Sequence, residues 1–353
     1  MKGLEAIVVE VAVVGAAGYA GIEAVRWVLG HPHLELALAT SSAEAGRRVD
    51  SVYPVLTGST EAVFSELDAD RISDVAQVAV LAVPHTAALR LVPKLLERGI
   101  TVIDLSADFR LKDPAVYEAW YDTPHTAPDL LAESVYGLPE LDRARLPGAR
   151  LVACPGCYPT ATVLASLPAF EAGAAVGSRI VVDAKSGVSG AGRTPAPATQ
   201  FCSANETVMP YKIGTHRHTP EMEQVLGVAA GREIRVIFAP HVVPTTRGLL
   251  STVYIDVADG LTTAEAVEMY RSRYHGEPFV HVHDAGTLPT TAEVRGTNRA
   301  SIGVSVDERT KTLVAVCAID NLGKGAAGQG IQCLNAALGY PETTGLVAPG
   351  VVV

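Results

Sequence analysis

Residues 8–29 constrain the fold of this chain more than any other stretch. A β-branched run, Val8, Val9 and Val11–Val14, leads into Gly15-Ala16-Ala17-Gly18-Tyr19-Ala20-Gly21, after which Ile22, Val25, Val28 and Leu29 recur at helical spacing. Strand, glycine turn and helix in that order open a parallel α/β unit. The alternation continues with the apolar stretch 34–39, with VAVLAV at 78–83 ahead of a helix carrying Ala88, Leu91, Val92 and Leu95, and with TVIDL at 101–105 and ARLVA at 149–153. Nearly continuous apolar strands separated by amphipathic helices predict a parallel sheet covered on both faces. Residues 107–148 break the rhythm with Phe109, Tyr117, Trp120, Tyr121, His125, Tyr136 and many prolines, and read as loops over a site.

The pattern changes near residue 155. A helix-like TATVLASLPAF is followed by strand candidates at 179–183, 234–239, 250–256, 301–305 and 313–318, which suits an α+β domain with a larger, mostly antiparallel sheet. The tail LGKGAAGQGIQCLNAALGY returns to helical periodicity.

With 353 residues the chain has room for two such domains. Twenty-eight Lys and Arg against 38 Asp and Glu, a formal charge of -10, argue against nucleic acid or an anionic membrane as partner. The apolar stretches fall well short of the ~18 residues a membrane span needs. Five irregularly spaced cysteines make no disulfide framework and fit a reducing compartment. The N-terminal MKGLEAIVVEVAVV carries two acids within its apolar run and no cleavage pattern, so it reads as a mature cytoplasmic start. A small-molecule enzyme is the expectation.

The glycines of 15–21, spaced GxxGxxG, let the chain turn tightly and let backbone N–H groups approach a pyrophosphate at a helix N-terminus. Where an NAD site usually carries an acid at the end of the second strand, this chain reads Ala39-Thr40-Ser41-Ser42, with Arg47 and Arg48 soon after. Hydroxyls and guanidinium groups suit a 2′-phosphate, so NADP is favoured over NAD. The second chemical feature is Cys154-Pro155-Gly156-Cys157-Tyr158-Pro159. A metal site lacks further ligands at matching spacing, a dithiol is possible by spacing, and a single nucleophile is the third reading. Cys157 falls just before a proline suited to a first helical turn, where the dipole and free N–H groups stabilise a thiolate or a developing oxyanion. Cys154, Cys202, Cys317 and Cys333 are expected to pack as small hydrophobes. A thiol nucleophile beside a nicotinamide fits reversible conversion of an acyl derivative to an aldehyde through a thioester. The proton donor and acceptor this needs are sought in His216-Arg217-His218, ahead of EMEQVL, where the bland alternative is a helix cap with Thr219 at N-cap and Pro220 at N1. His31, His33, His275, His281 and His283 read as loop or strand-surface residues.

These motifs, with SSAEAG at 41–46, VIDLSADFR at 102–110, VYGLPEL at 135–141, PGCYPTA at 155–161, SGVSGAGR at 186–193, HRHTPE at 216–221, FAPHVVPTTRG at 238–248 and NLGKGAAGQ at 321–329, resemble the N-acetyl-γ-glutamyl-phosphate reductases. That is the arginine-biosynthesis family of the aspartate-semialdehyde dehydrogenase group. The resemblance implies Cys157 as nucleophile, His218 as acid/base and His216 as an assisting or substrate-contacting group. It implies cofactor contacts from Gly15, Ala17, Gly18, Tyr19, Ala20, Gly21, Ser41, Ser42 and Arg47, and from Ser186, Gly187, Ser189, Gly190 and Asn321. Ser106, Arg110, His216 and Arg217 would face the acyl phosphate. The C-terminal helix would return to the first domain, giving a Rossmann-type NADP-binding domain over 1–155 and 321–353 and a catalytic and oligomerisation domain over 156–320. The family often has Asn where this chain has Cys154.

The implied activity is NADPH-dependent reduction of N-acetyl-γ-glutamyl phosphate to the semialdehyde and phosphate, by a homo-oligomer (dimer or tetramer) without a metal. Alternatives are a related substrate, β-aspartyl or carrier-linked aminoadipyl phosphate; a redox sensor using Cys154 and Cys157 as a dithiol; and a dinucleotide-binding scaffold without catalysis.

Overall fold

The computed structural model describes residues 8–347 and 349–350. In chain order the elements before residue 156 are β1 (Val9–Val14), α1 (Tyr19–Leu29), β2 (Leu34–Thr40), α2 (Val49–Val52), α3 (Ala69–Val75), β3 (Val78–Leu81), α4 (Ala87–Glu97), β4 (Thr101–Asp104), α5 (Pro114–Tyr121), α6 (Asp129–Glu133), β5 (Val135–Tyr136), α7 (Pro139–Asp142) and β6 (Leu151–Ala153). There follow α8 (Cys157–Glu171), β7 (Ala175–Gly187), α9 (Phe201–Ala204), β8 (Met209–Pro210), α10 (Thr219–Ala230), β9 (Arg235–Val243), β10 (Leu249–Val257), α11 (Thr263–Arg273), β11 (Val280–Val282), β12 (Ala300–Asp307), β13 (Thr312–Ile319) and α12 (Gly328–Leu338).

The chain gathers into two compact units. The first runs through Tyr117, resumes over Thr123–Pro155 and is taken up again at Ala326; the second comprises Glu118–Asp122 and Gly156–Gly325. In the first, six strands lie in the order β2-β1-β3-β4-β6-β5 with every pairing parallel. β3 is buried along its whole length, which is why it reads as an unbroken apolar run. Helices α1, α4 and α12 pack against this sheet.

The second unit is an α+β layer built on a seven-stranded sheet, β11-β12-β13-β10-β7-β9-β8. Four of its six pairings are antiparallel; β11–β12 and β7–β9 are parallel. Helices α8, α10 and α11 pack on it. α8 is buried from Tyr158 to Phe170, as expected of a helix that is apolar all round.

The loop reading of 107–148 needs correction, because this stretch holds α5, α6, β5 and α7. Three of its five prolines mark helix starts: Pro114 opens α5, Pro128 precedes α6 as N-cap and Pro139 opens α7. A fixed φ and a missing N–H cost nothing there, since first-turn N–H groups lack helical partners anyway. Among the described residues no helix is long and apolar enough to cross a membrane.

Candidate active site

In the second unit, Cys157 is the first residue of α8, with Gly156 as its N-cap. The sulfur therefore stands at the positive end of a fifteen-residue helix. No side chain of Gly156 can cap that end, and its N–H donates instead to Oε1 of Glu221 at 3.0 Å. Glu221, 1% exposed, belongs to the first turn of α10, so the two helix starts are pinned together. Two glycines are required by close approach. A Cβ at position 156 would lie 2.4 Å from His218 Nε2, and one at Gly325 would lie 2.8 Å from the Cβ of Cys157. The His218 ring thus rests on the backbone of the residue before the thiol.

His218, rather than Thr219, takes the cap position of α10; Thr219 and Pro220 lie in its first turn. The Thr219 N–H is already bonded to His216 O at 2.9 Å, which winds the chain into the helix one residue early, and the Thr219 hydroxyl is buried with no partner. His216 Nδ1 accepts the backbone N–H of His218 at 3.1 Å, which leaves the His216 proton on Nε2. Burial, reinforced by Lys212 and Arg217, pushes His216 down to about 4, so it is neutral near pH 7. The ring of His216 packs with those of Tyr158, Tyr211, His218 and Phe238. The Tyr211 hydroxyl donates to that of Tyr158 (3.3 Å), which donates to His241 O (3.2 Å). Burial holds the Tyr211 phenol up at about 12 and that of Tyr158 far above its usual range, so both keep their protons. Arg217 lies over the Tyr121 ring, 5.3 Å from its centre.

The remaining candidates of this unit form a second cluster. Asn321 donates from Nδ2 to Ser189 Oγ (2.9 Å) and accepts from Gly248 N–H (2.8 Å). A Cβ at Gly187 would sit 2.9 Å from the Thr245 carbonyl oxygen, and one at Gly190 would sit 2.9 Å from Ser186 Oγ. Gly187, which faces backbone, is thus a packing requirement, whereas at Gly190 the Ser186 hydroxyl would only have to turn aside; Ser186 and Ser189 are buried.

In the first unit the glycine turn fits a dinucleotide. Gly15 has φ +76 and its Cβ would meet the Ala82 carbonyl oxygen at 2.4 Å; a Cβ at Gly21 would meet the Gly15 carbonyl oxygen at 2.2 Å. At Gly18, the N-cap of α1, only Gly15 O at 3.4 Å stands near a Cβ. α1 has no side-chain cap and no acid in its first turn, which suits an anion there. The Ala17 carbonyl accepts from Tyr53 OH at 2.6 Å, while Tyr19 is 37% exposed. Ser41 follows the last residue of β2, and its N–H bonds Ser65 O. Arg47 is paired with Glu44 at 2.5 Å with its side chain 56% exposed, and Arg48 is paired with Asp50.

Ser106 and Arg110 are both buried here. The Ser106 hydroxyl and N–H bond the two oxygens of Asp104 at 2.9 and 2.8 Å. Arg110 donates from Nε to Cys154 O (2.7 Å) and from Nη2 to Leu105 O (2.9 Å). Asp104 is fully buried, and the loss of hydration raises its carboxyl to about 7 against the opposing bonds from Ser106.

Cys154, Cys317 and Cys333 are buried, whereas Cys202 is exposed on the short α9, contrary to the packing expectation. A four-residue helix cannot bury all its sides, so an apolar residue there has no obligatory cover. His31 lies in the loop after α1, as read, but is buried there, with Nε2 3.0 Å from Asn335 Oδ1. Glu221, Tyr158 and Tyr211 carried no signal as isolated letters; only HRHTPE and PGCY, taken as units, marked two of them. No group of three His, Cys, Asp or Glu side chains among the described residues could hold a metal.

Fold and site together define a semialdehyde dehydrogenase: residues 10–149 match the NAD binding domain of that family and residues 157–321 its dimerisation domain. Solved structures share the fold. The aspartate semialdehyde dehydrogenase II of Vibrio cholerae complexed with ASA has a TM-score of 0.71 at 16% identity, covering 93% of this chain and 98% of that one. The enzyme with NADP from Candida albicans gives 0.70 at 15%, with the same coverage. Among curated relatives, the N-acetyl-gamma-glutamyl-phosphate reductase of Halorhodospira halophila is 51% identical over 96% of this chain and 98% of its own length. That of Symbiobacterium thermophilum is 48% identical over 98% and 99%. This chain belongs to the N-acetyl-γ-glutamyl-phosphate reductase family.

Proposed function

We propose that this protein reduces N-acetyl-γ-glutamyl phosphate to N-acetylglutamate 5-semialdehyde and phosphate, using NADPH. The observation that carries the reading is the seating of the His218 ring on Gly156, one residue before a thiol at the start of α8. His218 takes the Cys157 proton, the sulfur attacks the γ-acyl carbon, the C–O bond to phosphate breaks, and a thioester remains on Cys157. The helix N-terminus favours negative charge developing at the sulfur and the acyl oxygen. The chemistry a bound nicotinamide supplies is hydride for the thioester carbon. His218 then gives a proton as the thiohemiacetal collapses, releasing the aldehyde and regenerating the thiol. His216, neutral and spent at Nδ1 on the His218 N–H, positions that residue and presents Nε2–H to the substrate.

The first unit, within 1–155 and 321–353, holds the cofactor through the 15–21 turn, with Ser41, Ser42 and Arg47 toward a 2′-phosphate; the absence of an acid at the end of β2 supports NADP over NAD. Arg47 would have to exchange Glu44 for the phosphate. Ser186, Gly187, Ser189, Gly190 and Asn321 form the loop toward the nicotinamide. Ser106 and Arg110 act by ordering the carboxyl ends of β4 and β6, with Arg217 the more exposed cation toward the acyl phosphate. The second unit assembles the protein into a cytoplasmic dimer or tetramer, a reading supported by its match to a dimerisation domain.

The reverse reaction tests this reading. NADP reduction should require inorganic phosphate and prefer N-acetylglutamate semialdehyde to aspartate semialdehyde. Cys157→Ser should abolish turnover and leave NADP binding intact; preference for the aspartyl compound, or loss of cofactor binding in that variant, would count against it.

A further inference from the structure

In the first unit, turns follow the carboxyl ends of three adjacent parallel strands: 15–18 after β1, 82–86 after β3 and 105–110 after β4. β2 and β3 flank β1 on opposite sides, so the strand order reverses there, the place where parallel α/β sheets open a ligand crevice. The turn after β3 touches the glycine turn, since a Cβ at Gly15 would strike the Ala82 carbonyl. Within that turn Thr86 is left-handed, φ 73 and ψ −20, and it is the N-cap of α4 without a capping bond from its own side chain. α4 has no acid in its first turn. A non-glycine residue in this conformation persists only where its surroundings hold it.

Asp108, on the loop after β4 and fully buried, does the holding. Its Oδ1 accepts from Thr86 N–H (2.8 Å) and Tyr117 OH (2.8 Å), and its Oδ2 accepts from the Ala88 and Leu89 N–H groups at 3.1 and 3.3 Å. One carboxylate from a different loop thus supplies the cap and the negative charge that the start of α4 lacks. The main chain of Asp108 is fixed as well: its N–H donates to Ser106 Oγ at 3.4 Å, and His125 Nε2 donates to its carbonyl at 2.8 Å.

We propose that Asp108 is a positioning residue for the cofactor, holding the turn after β3 in the left-handed form that lines the crevice beside the glycine turn. It acts through Thr86 and ties that turn to the loop carrying Ser106 and Arg110. The inference rests on the reading that this unit binds a nicotinamide dinucleotide.

The test is the Kd of NADPH by fluorescence titration, with thermal unfolding alongside, for the full-length protein and its variants. Asp108→Asn turns an NH₂ group toward N–H donors and should weaken NADPH at least tenfold. Thr86→Gly serves as the reference background for the double variant, because glycine adopts this φ unaided. Asp108→Asn combined with Thr86→Gly should recover to within threefold of Thr86→Gly alone. An unchanged Kd in Asp108→Asn with only a lower Tm, or no recovery in the double variant, overturns the proposal. Should Asp108→Asn fail to fold, Tyr117→Phe removes a bond to the same oxygen and should weaken NADPH by more than threefold; a Kd within threefold of wild type there overturns it equally. Wild-type protein that binds neither NADPH nor NADH would overturn the proposed function and this inference together, whereas equal binding by wild type and Asp108→Asn overturns this inference alone.

Discussion

Gly156→Ala is the sharpest test of the site, because its effect is steric and local. Gly156 has φ −66 and ψ 156, extended geometry that alanine adopts freely, so no backbone strain enters. The new methyl would lie 2.4, 2.6 and 2.8 Å from Nε2, Cε1 and Cδ2 of His218. Ordinary carbon contacts begin near ~3.5 Å, so the ring must retreat by about 1 Å. A misplacement of that size between reacting groups costs on the order of 10²-fold in rate. The same overpacking destabilises the fold by about 1–3 kcal/mol. The assay is kcat for phosphate-dependent NADP reduction, with the Kd for NADP measured separately. The expected result is a fall in kcat of about a hundredfold with little change in cofactor affinity. Activity within threefold of wild type would refute the reasoning, since it would mean that His218 need not stand where the structure has it.

Three further perturbations follow from the same geometry. Glu221→Ala leaves the buried Gly156 N–H without its partner and should cost about 1–3 kcal/mol in urea unfolding, while Glu221→Gln, which keeps an acceptor oxygen, should restore most of it. Gly15→Ala meets both a positive φ and the Ala82 carbonyl; a loss of about 3 kcal/mol or more, together with loss of NADP binding, is expected by thermal melt and titration. Asp104 gives a pH signature. The folded chain keeps its proton up to about pH 7, whereas the unfolded chain releases it near ~4, so between those values the native state binds more protons and stability falls as pH rises. His216 runs the other way. The unfolded chain takes up a proton near ~6.5 and the folded chain only at about 4, so stability rises with pH across that window. Unfolding free energies of wild type and Asp104→Asn should therefore diverge between pH 4 and 7, the variant gaining on the order of 2–4 kcal/mol by pH 7. Parallel curves would exclude a raised Asp104.

Much of this architecture is legible in the letters because it depends on local periodicity. Continuous apolar strands give a parallel sheet, and the close approaches at Gly15 and Gly21 are written as glycine. A helix start at Cys157 follows from the glycine before it and the proline two residues after. The sequence by itself determined which residues are candidates for the proposed chemistry, since thiol, imidazoles and glycine turn are properties of side chains and short spacings. Tertiary structure decided which of them meet. Glu221 reaches Gly156 across 65 positions, and Asp108 reaches Thr86 across 22. His216 and His218, two residues apart and alike in sequence, part company only because burial keeps one neutral with its Nδ1 engaged while the other lies on Gly156. Burial and long-range hydrogen bonds are set by the packing of whole elements, and no short window of sequence contains them.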